Sequence, residues 1–235
     1  MFTSRGATDA SSSAYSDFNP CHYTGDDPEH VAASRRLLAG ELGIADEALI
    51  VPRQTHSSRV CIIDRIPVSK SSLEGVDALV TRLRGVAVGV STADCVPLVL
   101  VDGESGVAGV AHAGWRGAVG GVVRNLFEEM LRQGAQTDGI RAFFGPAICC
   151  DCFEVGEEVA AFFPEECVVR CPQWPKPHVD LPSFVAGQLI ELGVAPERIV
   201  PFRPDICTRC HPDRYFSARD SGIESGRNFT FVMLK

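Results

Sequence analysis

Several absences narrow the reading of this chain at once. It has no long apolar run. Val86–Val90 and Val96–Val101 are strand-length, far short of the roughly 20 residues a membrane helix needs. It has no Lys/Arg-rich tract, and its 22 basic residues are outnumbered by 30 acidic ones, for a net charge of −8. That balance argues against a nucleic-acid backbone and against an anionic membrane as partners, while leaving room for a small anion at a local basic spot. No apolar stretch like a signal peptide's follows Met1-Phe2-Thr3-Ser4-Arg5-Gly6, so the expected compartment is the cytoplasm. There is no internal repeat and no obvious linker. The 22 glycines and 15 prolines fit neither collagen nor a disordered chain.

What is present fits a globular enzyme-sized unit. The 235 residues are 45% hydrophobic and 22% charged, enough to bury a sizeable core. The length allows one large domain or two small ones. Ten cysteines stand in the chain. In a cytosolic protein they read as buried thiols, metal ligands or a nucleophile rather than disulfides.

Residues 1–27 read as irregular or extended chain, with a Ser-rich patch at Ser11–Ser13. Asp27 and Pro28 open a helix expected to run to about Leu42, with Val31, Leu37, Leu38 and Leu42 on one face. Leu49–Val51 and Val60–Ile63 read as strands. Ala78–Thr81, Gly85–Ser91, Val96–Val101 and Gly106–Ala111 are apolar and Val-rich, the last two joined by the turn Asp102-Gly103-Glu104-Ser105. Their near-continuous apolar character predicts a sheet covered on both faces. Helices are expected from near Gly114 through Leu131, over Glu154–Phe163, and over Leu181–Leu192 behind Asp180. Ile140–Phe144, Ile199–Pro201 and Phe229–Leu234 complete the expected strands. The simplest account is one α/β domain, residues 1–235, with a central mixed β-sheet flanked by helices.

Three segments place metal-ligand side chains at strand ends: Gln54-Thr55-His56, Ala93-Asp94-Cys95 and Ala111-His112. If Val96–Val101 pairs with Gly106–Ala111, the open end of that hairpin brings Cys95 close to His112. Two His and one Cys suit zinc, and three protein ligands leave a fourth position open, as in catalytic zinc sites. The competing reading makes each a buried polar residue satisfied by backbone. The turn Gly114-Trp115-Arg116-Gly117 offers helix N–H groups beside Arg116, an anion site, or else a plain strand-to-helix turn.

A rival cluster lies elsewhere. Cys149-Cys150-Asp151-Cys152 and Cys207-Thr208-Arg209-Cys210 each contain C-x-x-C. Two such pairs could form a four-thiolate zinc site. More than 50 residues of chain lie between them, far outside ordinary zinc-ribbon spacing, and Phe143, Phe144, Ile148 and Phe153 surround the first pair. The expectation is therefore buried thiols without metal, with redox or disulfide chemistry as a further alternative.

The run Thr92-Ala93-Asp94-Cys95-Val96-Pro97-Leu98, followed by Val110-Ala111-His112-Ala113-Gly114-Trp115-Arg116-Gly117, resembles the bacterial laccase-domain family. That family was first described as polyphenol oxidases and is regarded as purine nucleoside phosphorylases. The resemblance spans nearly the whole chain. It continues through Phe2-Thr3 and Arg5, Phe18-Asn19, Gln54-x-His56, Asp77-Ala78-Leu79-Val80-Thr81, Gly145-Pro146 and Phe153-Glu154-Val155-Gly156. It extends to Asp180-Leu181-Pro182, Cys207-Thr208-x-Cys210, Phe216-Ser217-x-Arg219 and Gly226-Arg227.

The resemblance implies a single α/β domain and a zinc held by His56, Cys95 and His112, the same three residues chosen above. It implies an active-site arginine at Arg35, where the family's Asn-Arg pair stands as Ser34-Arg35. It further implies phosphorolysis of adenosine, inosine, guanosine and methylthioadenosine, a transferase reaction, with hydrolytic deamination of adenosine beside it. Arg35, Cys95 and Asp94 are the candidate catalytic groups. Arg35, Arg116 and Asn19 are the candidates for binding nucleoside and phosphate, with Arg35 first and the helix start at Arg116 second for phosphate. Asp94 is a proton carrier or an orienting neighbour of Cys95. Two departures stand out: Ser57 replaces the glycine of Gln-x-His-Gly, and Cys149–Phe153 replaces Gly-Pro-Cys-Cys-Tyr, which bears on pocket shape and base preference.

Two other chemistries use the same residues. Copper could take the ligand set of a blue copper site, and a copper-dependent polyphenol oxidase is the first alternative. A multicopper oxidase also needs a His-rich cluster, whereas the six histidines of this chain are scattered without a His-x-His pair. The second alternative is a metal-free thiol enzyme, with Cys95 as nucleophile and His112 as base.

Overall fold

A computed structural model of the chain describes residues 1–6 and 14–235. The Ser-rich patch Ser11–Ser13 lies outside the described residues. In chain order the elements are α1 (Pro28–Leu42), β1 (Leu49–Ile50), β2 (Val60–Ile63), β3 (Ala78–Thr81), β4 (Ala87–Thr92), β5 (Val96–Asp102) and β6 (Val107–Ala113). There follow α2 (Trp115–Val119), α3 (Val122–Arg132), β7 (Arg141–Phe144), α4 (Glu157–Ala160), β8 (Val168–Val169), β9 (His178–Val179), α5 (Leu181–Glu191), α6 (Ala218–Ser221) and β10 (Asn228–Met233). No helix among the described residues is long and apolar enough to cross a membrane.

The chain forms one α/β domain of mixed sheets flanked by helices. The main sheet has the order β2-β3-β6-β5-β7, with β2 parallel to β3 and the other pairs antiparallel. The second sheet, β1-β4-β10, is also mixed, and β8 and β9 form a small antiparallel pair. The sequence reading expected a single central sheet; the Val-rich β4 instead leaves its neighbours and pairs with β10.

The period of two along each strand sorts the core into layers. Ala78, Val80, Leu98, Leu100 and Ala111 pack with Leu126, Phe127 and Met130 of α3 and Val185 and Leu189 of α5. On the other face Leu79, Val99 and Val110 meet Val88 and Val90 of β4. Ala87, Phe229 and Phe231 then turn outward to Leu38 of α1. Helices, main sheet, second sheet and α1 thus stack in succession. Strands buried on both faces have no polar side to show, which explains the continuous apolar runs. At Gly109 an added Cβ would stand 2.7 Å from Leu126 Cδ1, so glycine here lets α3 lie close against β6.

The caps expected for α1 and α5 are present. Asp27 accepts from the Glu29 N–H at 2.9 Å, and Asp180 accepts from the Ser183 N–H at 3.0 Å. Other expectations are corrected. Leu37 is 59% exposed, one position round α1 from the buried Leu38. The helix expected from Gly114 to Leu131 breaks at Gly120–Gly121, where Gly121 takes φ +90°. The helix expected over Glu154–Phe163 shrinks to α4. Glu154 bridges to His178 and the Val155 N–H bonds Pro177, so that backbone is spent on the β9 segment. Ile199–Pro201 makes one bridge to Ala142 rather than a strand, because Pro201 supplies no N–H to extend it.

Candidate metal centre

The β5–β6 hairpin sets the site. Val96 lies opposite Ala113 and Pro97 opposite His112. Cys95, just before β5, therefore meets His112 at the open end, as the pairing predicts. His56 arrives from the loop between β1 and β2. That loop is tied to β4 by Gln54, whose amide donates to the Ser91 carbonyl and accepts from the Ser91 N–H, both at 2.8 Å. The ligand atoms of His56, Cys95 and His112 all lie within 4.8 Å of one another.

The residue that organises the three is Asp77, fully buried at the entry to β3. Its Oδ1 accepts from the His56 N–H at 3.0 Å and lies 2.7 Å from His112 Nδ1. Its Oδ2 accepts from the Thr55 N–H at 3.0 Å and the Ser57 N–H at 2.8 Å, and lies 2.8 Å from the Ser57 hydroxyl. The backbone path this imposes gives His56 a φ of +60°, a left-handed conformation that a side chain takes only when its surroundings over-determine it. Asp77 also fixes the His112 ring, leaving Nε2 for the Cys95 side, the usual arrangement of a metal-binding histidine with a supporting carboxylate.

The electrostatics follow from burial and these contacts. Burial pushes the Asp77 carboxyl up, but the His112 hydrogen bond and charge and the Thr55 and Ser57 N–H groups outweigh it and hold it at about 2. Burial likewise raises the Cys95 thiol, yet His112, then His56, bring it down to about 6. Burial lowers His112, and Cys95 and Asp77 overcome this to raise it to about 9. Without a metal, the opposite shifts of Cys95 and His112 favour a thiolate beside an imidazolium.

The donor set and spacing fit zinc. With Zn–S near 2.3 Å and Zn–N near 2.0–2.1 Å, sulfur and nitrogen ligands of a tetrahedral ion stand about 3.6 Å apart. Cys95 Sγ lies 3.7 Å from His56 Nε2. Gly114 closes one side; a Cβ there would sit 2.7 Å from His56 Cδ2 and 2.9 Å from Cys95 Sγ. Among the described residues, His56 and His112 are the histidines that stand in a group of three or more ligand-type side chains.

The remaining candidates are distributed more widely. Asp94 is engaged on both carboxylate oxygens. Its Oδ1 accepts from the Thr208 hydroxyl at 2.6 Å and its Oδ2 from the Arg219 N–H at 2.7 Å. It takes φ +91°, so these contacts hold the turn that aims Cys95. Asn19 is fully buried, donates to Asp26 at 2.8 Å and accepts from the N–H groups of Cys21 and Arg227. Its amide is committed to the fold rather than to a ligand. Arg116 is exposed and lies over the Trp115 ring at 4.3 Å. The helix expected to present an anion site there is only the short α2.

Arg35 does not join the metal cluster. It donates to the Leu49 carbonyl at 2.7 Å and lines a separate cavity of about 520 Å³. His22, Arg53 and Lys70 line the same cavity, with Asp46, Glu47 and Glu74 on its walls. The loop that supplies Val51 and Arg53 to that wall carries His56 three residues later.

Asp77 was missed as a site residue in the sequence reading. Its signal is a carboxylate heading an apolar strand, Asp77-Ala78-Leu79-Val80, where an unpartnered charge would be costly.

The family model described as multi-copper polyphenol oxidoreductase laccase matches residues 1–235, and the chain belongs to that family. The chain is 47% identical to adenosine deaminase RL5 of an unknown prokaryotic organism, over 99% of this chain and 92% of that protein. It is 36% identical to a purine nucleoside phosphorylase of Bacteroides thetaiotaomicron, over 94% of this chain and 86% of that one. In shape it is similar to the crystal structure of Bacillus licheniformis hypothetical protein YfiH, with a TM-score of 0.88 at 24% identity, covering 100% of this chain and 91% of that one. That likeness bears on the fold alone.

Proposed function

From that family membership as premise, we propose that the chain is a zinc-dependent purine nucleoside phosphorylase of the cytoplasm. It converts adenosine, inosine, guanosine and methylthioadenosine to free base and pentose-1-phosphate, and it also deaminates adenosine. The observation that carries this reading is the His56–Cys95–His112 cluster, its ligand atoms all within 4.8 Å of one another, on a chain 47% identical along its length to an adenosine deaminase. His56, Cys95 and His112 would hold the zinc, which would supply Lewis acidity and an activated water.

The protein's own groups do the rest. Asp77 keeps His112 in one tautomer and orientation. Asp94 holds the turn that presents Cys95. In phosphorolysis the bond from the sugar C1′ to the purine nitrogen breaks while a bond to a phosphate oxygen forms. Positive charge grows on the sugar, so an anion must stand beside it. A protein of net charge −8 must gather cations locally to hold that anion. The cavity lined by Arg35, Arg53 and Lys70 offers candidate cations, although Asp46, Glu47 and Glu74 share its walls and Arg53 pairs with Glu74 at 3.4 Å. Arg35 is assigned to phosphate, because its planar fork matches two phosphate oxygens and one hydrogen bond to Leu49 leaves donors over.

The test is product analysis of adenosine and inosine with and without phosphate. Pentose-1-phosphate should form only when phosphate is present, and adenosine should yield inosine in either case. Cleavage indifferent to phosphate would replace phosphorolysis by hydrolysis. Arg35→Ala should reduce phosphorolysis on the order of 100-fold with zinc still bound, and Arg35→Lys should raise the phosphate KM. Deamination should fall less; equal loss of both activities would make Arg35 a nucleoside-orienting group. An intense blue absorption with phenol oxidation would favour the copper enzyme of the family's description. Activity in metal-free protein, lost on alkylation of Cys95, would favour the thiol enzyme.

A further inference from the structure

Away from the His56 site, the fold brings the two C-x-x-C segments together. One follows β7; the other lies in the segment between α5 and α6. A single bridge pairs Ala147 with Cys207, and the Thr208 N–H bonds the Ala147 carbonyl at 3.0 Å. The long chain between the segments is therefore no obstacle, contrary to the sequence reading, because sheet packing rather than local spacing sets the distance. The sulfurs of Cys149, Cys152, Cys207 and Cys210 all lie within 4.8 Å of one another.

We propose that Cys149, Cys152, Cys207 and Cys210 hold a second zinc ion, structural and four-thiolate, independent of the His56 site. The geometry is that of the ion. Four sulfurs at about 2.3 Å from a tetrahedral centre stand about 3.8 Å apart. Cys149 Sγ lies 3.9 Å from Cys210 Sγ, and Cys152 Sγ lies 3.5 Å from it. The Cys207 sulfur faces two backbone donors, the Cys149 N–H at 3.3 Å and the Cys210 N–H at 3.5 Å. Donors of this kind stabilise a thiolate, the form that binds metal. Arg209, between two of the ligands, donates to the Cys152 carbonyl at 3.3 Å and sets a cation beside a centre of net charge −2. Burial is graded from the buried Cys207 to the exposed Cys210, so the ion has a way in. A closed set of four protein ligands leaves no open position, which marks a structural rather than a catalytic site.

The ion would clamp residues 147–152 to residues 207–210. The neighbouring Thr208 holds Asp94, which positions the turn before Cys95.

The test is zinc analysis of the full chain purified under reducing conditions. Wild type should carry two equivalents per chain. His56→Ala combined with Cys95→Ser should keep one, and Cys149→Ser combined with Cys210→Ser should lose one. Cobalt loaded into the His56/Cys95 double variant should give the intense visible bands of a tetrahedral thiolate centre. A readout that needs no variant is alkylation of the native wild type. Cys149, Cys152, Cys207 and Cys210 should be protected until a strong chelator is added. Unchanged zinc in the Cys149/Cys210 variant, iron in place of zinc, disulfides among the four, or immediate alkylation of all four would each overturn the proposal. None of these readouts depends on nucleoside turnover, so failure here leaves the phosphorylase reading to its own test.

Discussion

Replacing Asp77 by Asn alters one atom and one charge at the acceptor on which the metal centre depends. Two orientations of the new amide are available. With its nitrogen at the Oδ1 position, the His56 N–H loses its acceptor. The His112 Nδ1 must then accept, which moves the ring proton to Nε2 and removes the lone pair a metal needs. With its nitrogen at the Oδ2 position, the N–H groups of Thr55 and Ser57 lose theirs. Each orphaned buried donor costs about 1–3 kcal/mol, and a lost hydrogen bond to a charged group about 1.5–3 kcal/mol. The sum is about 2–6 kcal/mol, enough to lower Tm by roughly 5–20 °C in a chain of this size. Zinc affinity should fall about 10–100-fold. The assays are thermal unfolding of the metal-free protein and chelator competition for zinc. Acid supplies an internal control. The wild-type carboxyl sits at about 2 in the fold against about 3.9 in the unfolded chain, so its stabilisation is present above pH 4 and lost as pH falls towards 2. The gap between wild type and variant should narrow over the same window. Equal Tm, together with zinc affinity within twofold, would refute the view that Asp77 holds the site.

Gly114→Ala should weaken zinc binding roughly tenfold with little loss of Tm, since the new Cβ presses on His56 and Cys95 while the backbone, at φ −63°, tolerates it; unaltered zinc affinity would show that the site gives way freely. In metal-free protein the alkylation rate of Cys95, followed by peptide mapping, should be half-maximal near pH 6, and His112→Gln should move that midpoint up. The depressed thiol contributes stability that is lost as pH falls through about 6, and the raised imidazole contributes stability lost as pH rises through about 9. Metal-free protein should therefore be most stable between those values; a wild-type midpoint in the ordinary thiol range would overturn the assignment.

The convergence of Cys95 and His112 was readable from sequence because one strand pairing brings them together. Val96–Val101 and Gly106–Ala111 flank a short turn, so Cys95 and His112 must meet whatever the rest of the chain does. For the complementary reason, the approach of the two cysteine pairs was not readable. Their approach depends on a single bridge between Ala147 and Cys207, and no local pattern announces a contact of that range. The departure of β4 from the main sheet was equally silent, since a strand buried between two sheets and one buried under a helix have the same apolar composition. Asn19 and Asp94 illustrate a third limit: a polar side chain spent on backbone groups looks, as a letter, the same as one waiting for a ligand. Asp77 was visible as an oddity at the head of an apolar strand, but the five groups that converge on it come from two distant segments.

Most of those groups belong to the backbone or to His112, and this bears on how the site can diverge among relatives. Thr55 and His56 are bound to Asp77 through main-chain N–H groups, which every residue but proline carries. Position 57 gives its own N–H to Asp77, and the serine found there adds hydroxyl contacts to Asp77 and to the Gly75 carbonyl. Substitutions at 55 and 57 should therefore accumulate freely, while loss of the carboxylate at 77 would undo the loop and the imidazole together. Across a set of divergent homologues, a fixed aspartate some twenty positions from a drifting loop would be the more durable mark of this centre.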